Sequence, residues 1–193
     1  MAKTAAVMEF IDESEEIYET IQGKEVLLAA AMPTVDHIKI AGKIHFIFHR
    51  YLHGKRCQAF PDGMEVRLSE EFKLKPDVSI VCDPKKIHRT KGVLGAPDLV
   101  VEVLSLSTEA RDRGIKKDAY EAAGVREYWI VRPDDKAVEV YILENGKYKL
   151  SGVFKVAPPD ASEDEKAAAK LRLKVSLYDD LIIDVREIFE DLD

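Results

Sequence analysis

One acidic residue inside an apolar strand constrains this chain more than any other feature. Glu102 interrupts an apolar run that begins at residues 99–101 and resumes at residues 103–104. A continuous, largely β-branched run of this kind is typical of a strand that is buried on both faces. An ionised carboxylate in such a strand is very costly unless it is paired or holds a cation. Glu102 therefore predicts either a buried ion pair or a metal site.

A helix is predicted directly after this strand, over residues 108–123. Gly124 could end it in a left-handed turn, and a second apolar strand follows the glycine. Asp112, Lys116 and Tyr120 are spaced at i, i+4 and i+8, so they would share one face of the helix. The unit is strand–helix–strand, with an acid in the first strand and a lysine on the crossover.

Another apolar strand, earlier in the chain, is predicted over residues 77–82. It also carries an acid, because Asp77 is its first residue. Two strands of one sheet with acids at a comparable depth can bring both carboxylates to one point. Mg²⁺ suits such a point, because it takes one or two carboxylates and keeps several waters for a phosphate substrate. The backbone carbonyl of Val103 could supply another oxygen, and the Lys116 ammonium could stabilise a scissile phosphate. The candidate catalytic residues are thus Asp77, Glu102 and Lys116, and the candidate metal ligands are Asp77, Glu102 and Val103.

Each candidate also has a purely structural interpretation. An acid directly after a proline, as at Asp77, is commonly a turn residue. Glu102 could form a buried ion pair with Lys116 or Arg113 and have no catalytic role. Asp112, Lys116 and Tyr120 could equally form a solvated ladder along one helix face. The residues alone leave these alternatives open.

Composition limits the classes of protein to consider. A chain of 193 residues, with 46% hydrophobic and 34% charged residues, predicts a single globular domain over residues 1–193. No apolar run approaches the roughly 18 residues of a membrane span, so no membrane association is expected. A net charge of −7 argues against a broad basic surface for nucleic acid, so such a function would need a local basic segment.

Cys57 and Cys82 are the two cysteines of the chain. Two cysteines make neither a disulfide framework nor a zinc ligand set. We therefore expect both to be buried apolar filler in a reduced, cytoplasmic protein.

The N-terminal part predicts a hairpin and one long helix. Strand composition over residues 16–21 and 25–31, separated by a turn at 22–24, is typical of a β-hairpin. Asp36 could cap a helix that runs to about His53. Apolar residues at core spacing on that helix are Ile40, Ile44, Ile47, Phe48, Tyr51 and Leu52.

Further short strands are expected over residues 56–60, 64–68, 138–143 and 148–153. The last two form a C-terminal β extension, followed by a surface excursion at 157–170 and a closing apolar segment at 181–189. The segment at 83–96 predicts a mobile basic loop. Its cations could follow a DNA backbone or could simply be solvated; they are Lys85, Lys86, His88, Arg89 and Lys91.

Several short motifs follow one another along the chain. They are Pro76-Asp77-Val-Ser-Ile-Val, Ala96-Pro97-Asp98-Leu-Val-Val-Glu102-Val-Leu-Ser105, and Asp112-x3-Lys116-x3-Tyr120-x3-Gly124-Val125-x-Glu127-Tyr128-Trp129-Ile130-Val131. Two N-terminal features precede them, a hairpin motif Tyr18-Glu-x-Ile-x-Gly23-Lys-Glu25 and the histidine His37 before the first long helix. Taken in order, these motifs resemble the bacterial Uma-type restriction endonuclease family of the PD-(D/E)XK nuclease superfamily. The resemblance covers roughly residues 16–150 and the closing segment to Phe189.

The resemblance implies an α/β fold, with a restriction-endonuclease-like mixed central sheet flanked by helices. Asp77 matches the first acid of the superfamily and Glu102 the second. The lysine usually found two positions after the second acid is replaced by Leu104, which points to Lys116 on the next helix. Glu25 and His37 match positions near the site, and Asp112 and Tyr120 join them as supporting residues.

The implied activity is Mg²⁺-dependent cleavage of DNA, with Mn²⁺ as a possible substitute, by an enzyme that could pair as a homodimer. One alternative is a nuclease-fold protein that binds DNA or a protein partner without cutting, favoured by the negative net charge and by Leu104. Another is a different phosphohydrolase or an RNA-directed nuclease.

Overall fold

The computed structural model describes residues 18–27 and 33–192 of the chain. Within these ranges the helices are α1 (Val35–Leu52), α2 (Glu109–Arg113), α3 (Ile115–Ala123), α4 (Glu163–Ala168) and α5 (Val185–Phe189). The strands are β1 (Tyr18–Ile21), β2 (Lys24–Leu27), β3 (Gln58–Pro61), β4 (Val66–Arg67), β5 (Phe72–Leu74), β6 (Val78–Val81), β7 (Ile87–His88), β8 (Gly92–Leu94), β9 (Leu99–Val103), β10 (Glu127–Arg132), β11 (Ala137–Glu144), β12 (Lys147–Lys155), β13 (Arg172–Lys174) and β14 (Ile182–Asp184). None of the helices in the described parts has the length and apolar character that a membrane crossing requires.

The central sheet has six strands in the order β12-β11-β10-β9-β6-β3. β9 and β10 are parallel, and every other neighbouring pair is antiparallel. All five residues of β9 are buried, as expected for a strand covered on both faces. The predicted mixed central sheet flanked by helices is therefore confirmed.

Each face of the central sheet has its own apolar core. On one face α1 and α5 cover the sheet, and the Phe48 ring of α1 lies 5.4 Å from the Trp129 ring of β10. On the other face α3 packs through Tyr120 against Val100 and Tyr128, together with residues of the small sheet. Glu102 belongs to this second face, because its side chain alternates with those of its neighbours in β9.

The small sheet also has six strands, in the order β2-β1-β5-β4-β8-β7. Its hairpin β1–β2 turns at Gln22 and Gly23 with φ of +52° and +72°, the left-handed backbone that two-residue hairpin turns need. The predicted N-terminal hairpin is confirmed, although residues 16–17 and 28–31 of that prediction lie outside the described residues. The segment at 83–96 is not a loop, because it forms a 3₁₀ turn at Pro84–Lys86 and the strands β7 and β8.

The helix expected over residues 108–123 is interrupted. Gly114 adopts φ −110° and ψ −106°, outside the helical region, and separates α2 from α3. A side chain at this position would meet the carbonyl oxygen of Ala110 at 2.9 Å, so the close approach of the backbone favours glycine. The predicted helix end at Gly124 is confirmed, with φ +87° and its N–H directed at the carbonyls of Tyr120 and Glu121.

The N-cap of helix α1 lies two residues earlier than the sequence predicts. Thr34 is the cap, because its hydroxyl accepts a hydrogen bond from the His37 N–H at 3.2 Å, and Asp36 lies in the first turn. Of the expected core residues, Tyr51 is only half-buried. The others are buried as expected: Ile40, Ile44, Ile47, Phe48 and Leu52.

The two cysteines are joined in a disulfide, which corrects the expectation of unbonded apolar filler. In the antiparallel pair β3–β6, Gln58 lies opposite Val81. One residue further along this register, Cys57 lies opposite Cys82. Strand pairing thus brings together two thiols that are 25 residues apart in the sequence.

Candidate active site: a buried acidic cluster around Lys116

Strand register places the two principal acids side by side. In the antiparallel pair β6–β9, Val78 lies opposite Val101. The same register, continued by one residue, sets Asp77 opposite Glu102. Directly opposed side chains lie on the same face with their Cβ atoms about 4.5–5.5 Å apart. The two carboxylates therefore converge on the sheet face that α3 covers.

Asp77 is fixed by two hydrogen-bonding partners. Its Oδ2 accepts from the backbone N–H of Val103 at 2.6 Å, and its Oδ1 lies 3.0 Å from Nε2 of His37. His37 reaches this position from the first turn of α1. The Val103 carbonyl as a metal ligand stays a prediction.

Lys116 lies at the centre of three carboxylates. Its Nζ is 3.0 Å from Glu102 Oε1, 3.2 Å from Glu19 Oε1 and 3.3 Å from Asp112 Oδ1. The Lys116 side chain is only 6% exposed. The ion-pair alternative for Glu102 is thus present with Lys116, while Arg113 makes two hydrogen bonds with Glu139 instead.

Tyrosine hydroxyls and backbone groups hold this cluster in place. The Tyr120 hydroxyl donates to Glu102 Oε1 at 3.0 Å, and the backbone N–H of Lys75 donates to Glu19 Oε1 at 2.7 Å. The Tyr128 hydroxyl donates to the carbonyl of Asp112 at 2.8 Å. Asp112 contacts Lys116 and Tyr120 contacts Glu102, so both belong to the buried cluster although they lie on separate helices. The solvated-ladder alternative is therefore wrong.

Solvent exposure within the cluster is greatest at Asp77 and His37. The side chains of Glu102 and Lys116 are 3% and 6% exposed. Asp77 and His37, at 13% and 14%, are more accessible. A ligand would thus meet Asp77 and His37 first and the lysine last.

Burial and mutual repulsion change how these groups bind protons. Burial raises the pKa of Glu102 well above its ordinary value, and nearby carboxylates raise it further against the opposing charge of Lys116. Burial alone would lower the pKa of Lys116, but the surrounding carboxylates outweigh it and raise that pKa. Burial likewise opposes the effect of Asp77 on His37, whose pKa is nevertheless raised. Lys116 is therefore fully charged at neutral pH.

The charge balance of the cluster fits a divalent cation. Four carboxylates, those of Glu19, Asp77, Glu102 and Asp112, face one ammonium and one imidazole. Glu19 Oε2 is buried and has no hydrogen-bond partner among the described residues. Carboxylate oxygens are the ligands that hard divalent cations take. Excess negative charge and an unsatisfied oxygen are both features that such a cation would relieve.

Asp77 and Glu102 would offer two carboxylates to such a cation. In the described parts of the chain, no three histidine, cysteine, aspartate or glutamate side chains are arranged to hold a metal ion. Mg²⁺ is commonly bound by one or two carboxylates and keeps several waters. The donor set therefore fits a hard divalent cation that keeps most of its waters, rather than one that needs a full shell of protein ligands.

The residues around Lys116 differ in part from those expected from the sequence. Glu25 is exposed on β2 and takes no part in the cluster, whereas Glu19 on the partner strand β1 is buried and contacts Lys116. The alternation of side chains between the two faces of a strand could have indicated Glu19, because it places Glu19 on the same face of β1 as Ile21. Glu19 and Ile21 are the two buried residues of that strand. Asp62, in the turn after β3, is a further neighbour, and burial and the charge of Asp77 raise its pKa.

The basic segment projects from the small sheet. Lys85 is exposed on the 3₁₀ turn, and Arg89 and Lys91 are exposed at the tip of the β7–β8 hairpin, next to His88. Lys86 differs, because its Nζ donates to the carbonyl of Ala96 at 2.7 Å. Strand β1, which carries Glu19, belongs to the same sheet.

Comparisons with known proteins agree with this architecture. The chain is 21% identical to "a putative nuclease belonging to DUF820" from Anabaena variabilis ATCC 29413, whose crystal structure matches with a TM-score of 0.67 over 92% of each chain. It is also 32% identical over 108 residues to the "Uncharacterized protein slr1290" of Synechocystis sp., a match that spans 55% of this chain and 56% of that relative.

The family comparison covers most of the sequence. Residues 5–176 match the model of the family Uma2, described as "Putative restriction endonuclease". The motifs around Asp77, Glu102 and Lys116 all lie inside the matched range, so the match includes every strand and helix that builds the buried cluster. The chain belongs to the Uma2 restriction endonuclease family.

Proposed function

We propose that this protein is a metal-dependent nuclease that hydrolyses phosphodiester bonds in DNA. The observation that carries the proposal is the convergence of Asp77 and Glu102 on one sheet face, beside the ammonium of Lys116. Membership of a restriction endonuclease family supports a nuclease. DNA as the substrate and Mg²⁺ or Mn²⁺ as the cofactor are the finer parts of the proposal.

Asp77 and Glu102 would hold the metal, with the Val103 carbonyl as a further oxygen donor. When bound, the cation supplies Lewis acidity toward the phosphate and makes water a better nucleophile. The protein orients Asp77 through the Val103 N–H and His37, and orients Glu102 through Tyr120. Water adds to phosphorus, and one phosphorus–oxygen ester bond breaks to leave a phosphate monoester and a hydroxyl.

Lys116 would stabilise the negative charge that develops on the phosphate oxygens. A preorganised ammonium in a water-poor site stabilises a transition state more than the same group in water. Glu19 and Asp112 hold the lysine from two other directions, at 3.2 and 3.3 Å. They act as positioning residues, since they contact Lys116 and keep it protonated.

DNA would also contact the basic end of the small sheet. Lys85, Arg89 and Lys91 are exposed there and would bind backbone phosphates. Lys86 contributes less, because its ammonium already binds a carbonyl. We further propose a homodimer, which would allow both strands to be cut, and a cytoplasmic location, where DNA is available. The Cys57–Cys82 disulfide would be an exception among cytoplasmic proteins, in which most thiols are reduced.

The second candidate is a family member that binds DNA or a protein partner without cutting it. Its specific support is the close ion pair between Glu102 and Lys116, which already neutralises one proposed metal ligand. Leu104, in place of a second lysine, removes a further cation from the centre.

One experiment separates the candidates. Purified protein and its Glu102→Gln variant are incubated with supercoiled plasmid, single-stranded DNA and RNA, each with Mg²⁺, Mn²⁺ or EDTA. We expect plasmid nicking with either metal, none with EDTA, and loss of nicking in the variant. Cleavage of RNA alone would change the substrate class. DNA binding without cleavage would favour the second candidate, and undiminished cleavage by Glu102→Gln would contradict the proposed mechanism.

A further inference from the structure

Leu106 is the most exposed large apolar side chain in the described parts of the chain. It is 99% exposed, whereas the other exposed large apolar residues range from 37% for Tyr18 to 67% for Val35. The neighbouring Leu104 is 8% exposed and packs in the core beside Tyr120. The chain thus buries one leucine and presents the other entirely to solvent within the same short segment.

Hydrogen bonds between Ser105 and Thr108 hold Leu106 in this outward position. The Ser105 hydroxyl lies 3.1 Å from the Thr108 hydroxyl, and the Ser105 N–H donates to the Thr108 hydroxyl at 3.3 Å. The Thr108 N–H donates to the carbonyl of Ser105 at 3.1 Å. These bonds close a tight turn from Ser105 to Thr108. Leu106 lies at the apex of this turn, where its side chain is exposed.

Both ends of this turn are attached to the candidate active site. Glu102 lies four positions before Leu106, so their Cα atoms are at most about 14 Å apart. On the other side, the carbonyl of Thr108 accepts a hydrogen bond from the Asp112 N–H at 3.0 Å. Leu106 therefore follows the end of β9 at which Asp77 lies opposite Glu102.

We infer that Leu106 contacts the nucleic acid that the site would cleave, as an apolar wedge against a base. This inference rests on the proposed function. Phosphates recur about every 3.4 Å along each strand of a duplex. A residue whose Cα lies within about 14 Å of the Glu102 Cα would therefore lie about four nucleotides or fewer from a phosphate bound at Glu102. Base faces are the extended apolar surfaces of nucleic acid, and leucine is one of the side chains that insert between them.

An apolar contact predicts a specific signature in DNA binding. Loss of a phosphate contact reduces the salt dependence of the affinity, because fewer counterions are released. Loss of a base contact weakens binding by the same factor at every salt concentration. We expect Leu106→Ser to weaken binding by roughly tenfold, the lower end of what burying a leucine side chain contributes, with an unchanged slope of log affinity against log salt.

The test measures fluorescence anisotropy of a labelled DNA duplex in Ca²⁺ over a series of salt concentrations. Leu106→Met should restore the affinity, because it keeps an apolar side chain of similar size. Leu150→Ser is the matched control, since Leu150 is 53% exposed on the edge strand β12, which two strands separate from β9 in the central sheet. It should bind as the wild type does.

Several outcomes would overturn the inference. One is equal affinity of Leu106→Ser and Leu150→Ser, and another is a changed salt slope in Leu106→Ser. A lower oligomeric mass of Leu106→Ser than of the wild type, measured by light scattering, would instead assign the leucine to a contact between copies of the chain. Wild-type protein that binds DNA but does not nick plasmid would contradict the proposed function and leave Leu106 as a DNA contact; wild-type protein that binds no DNA would overturn both.

Discussion

Lys116 Nζ lies 3.0 Å from Glu102 Oε1 in the described structure, and both side chains are almost inaccessible to water. Two further carboxylates, from Glu19 and Asp112, lie within 3.3 Å of the same ammonium. One positive charge therefore compensates several buried negative charges, and the stability of the protein should depend on it strongly.

Lys116→Met should destabilise the protein by about 3–5 kcal/mol near neutral pH, because it leaves buried carboxylates without their counter-charge. The loss should shrink as the pH falls. Glu102 has a raised pKa in the folded state, so the folded state binds protons more readily than the unfolded chain. The contribution of Glu102 to the free energy of unfolding therefore increases as the pH is lowered.

Urea unfolding of the wild type and of Lys116→Met at pH 7.5 and pH 5.5 measures this effect. Adding Glu102→Gln to Lys116→Met should recover part of the lost free energy of unfolding, since it removes one uncompensated charge. A difference between wild type and variant that grows toward low pH would contradict the proposed charge balance.

Asp77→Asn should abolish metal-dependent stabilisation. If Asp77 is a metal ligand, saturating Mn²⁺ or Mg²⁺ raises the free energy of unfolding of the wild type, by about 2.7 kcal/mol at a hundredfold excess over the dissociation constant. The variant should show little or no increase. Thermal unfolding with and without metal measures this.

Asp118→Asn is the matched control for the metal experiment. Asp118 is exposed on the same helix as Lys116 and lies outside the buried cluster. An equal metal response in Asp77→Asn and Asp118→Asn would remove Asp77 from the metal site.

Reduction of the Cys57–Cys82 disulfide should lower the free energy of unfolding by about 3 kcal/mol, because the bond closes a loop of 25 residues in the unfolded chain. Urea unfolding with and without dithiothreitol measures the change. A double variant, Cys57→Ser with Cys82→Ser, should have the same free energy of unfolding as the reduced protein, and dithiothreitol should not change it. Equal stability of the wild type under both conditions would show that the bond does not form in solution.

Arg89→Ala combined with Lys91→Ala should reduce the slope of log DNA affinity against log salt. Each lost phosphate contact changes this slope by about 0.9 on duplex DNA. Anisotropy titrations over a salt series give the slope. Lys166→Ala is a suitable control, because Lys166 pairs with Glu163 on α4, outside both sheets. An unchanged slope in the double variant would mean that Arg89 and Lys91 are solvated and make no contact with phosphates.

Structural features formed by residues close in sequence were predictable, because the local pattern of apolar residues determines them. The buried strand around Glu102, the Gly124 helix end and the core face of α1 follow from burial patterns and backbone conformation. The family and the fold class were also predictable, since ordered short motifs specify them.

The remaining features depend on contacts between distant segments. Glu19 reaches Lys116 only when the small sheet docks, and the Cys57–Cys82 bond follows from a strand register that no local pattern encodes. The break at Gly114 depends on a close approach to the carbonyl of Ala110. The basic segment forms a hairpin rather than a loop because β8 pairs with β4 of the small sheet.

The position of Glu19 on the N-terminal hairpin also links folding to the formation of the site. The central sheet with α3 can place Glu102 beside Lys116 on its own, but the third carboxylate arrives only with β1, whose place is secured by β5 and the Lys75 N–H. The lysine is therefore fully surrounded only when that hairpin is docked. Anything that loosens the hairpin would leave the candidate active site incomplete while the central sheet stays folded.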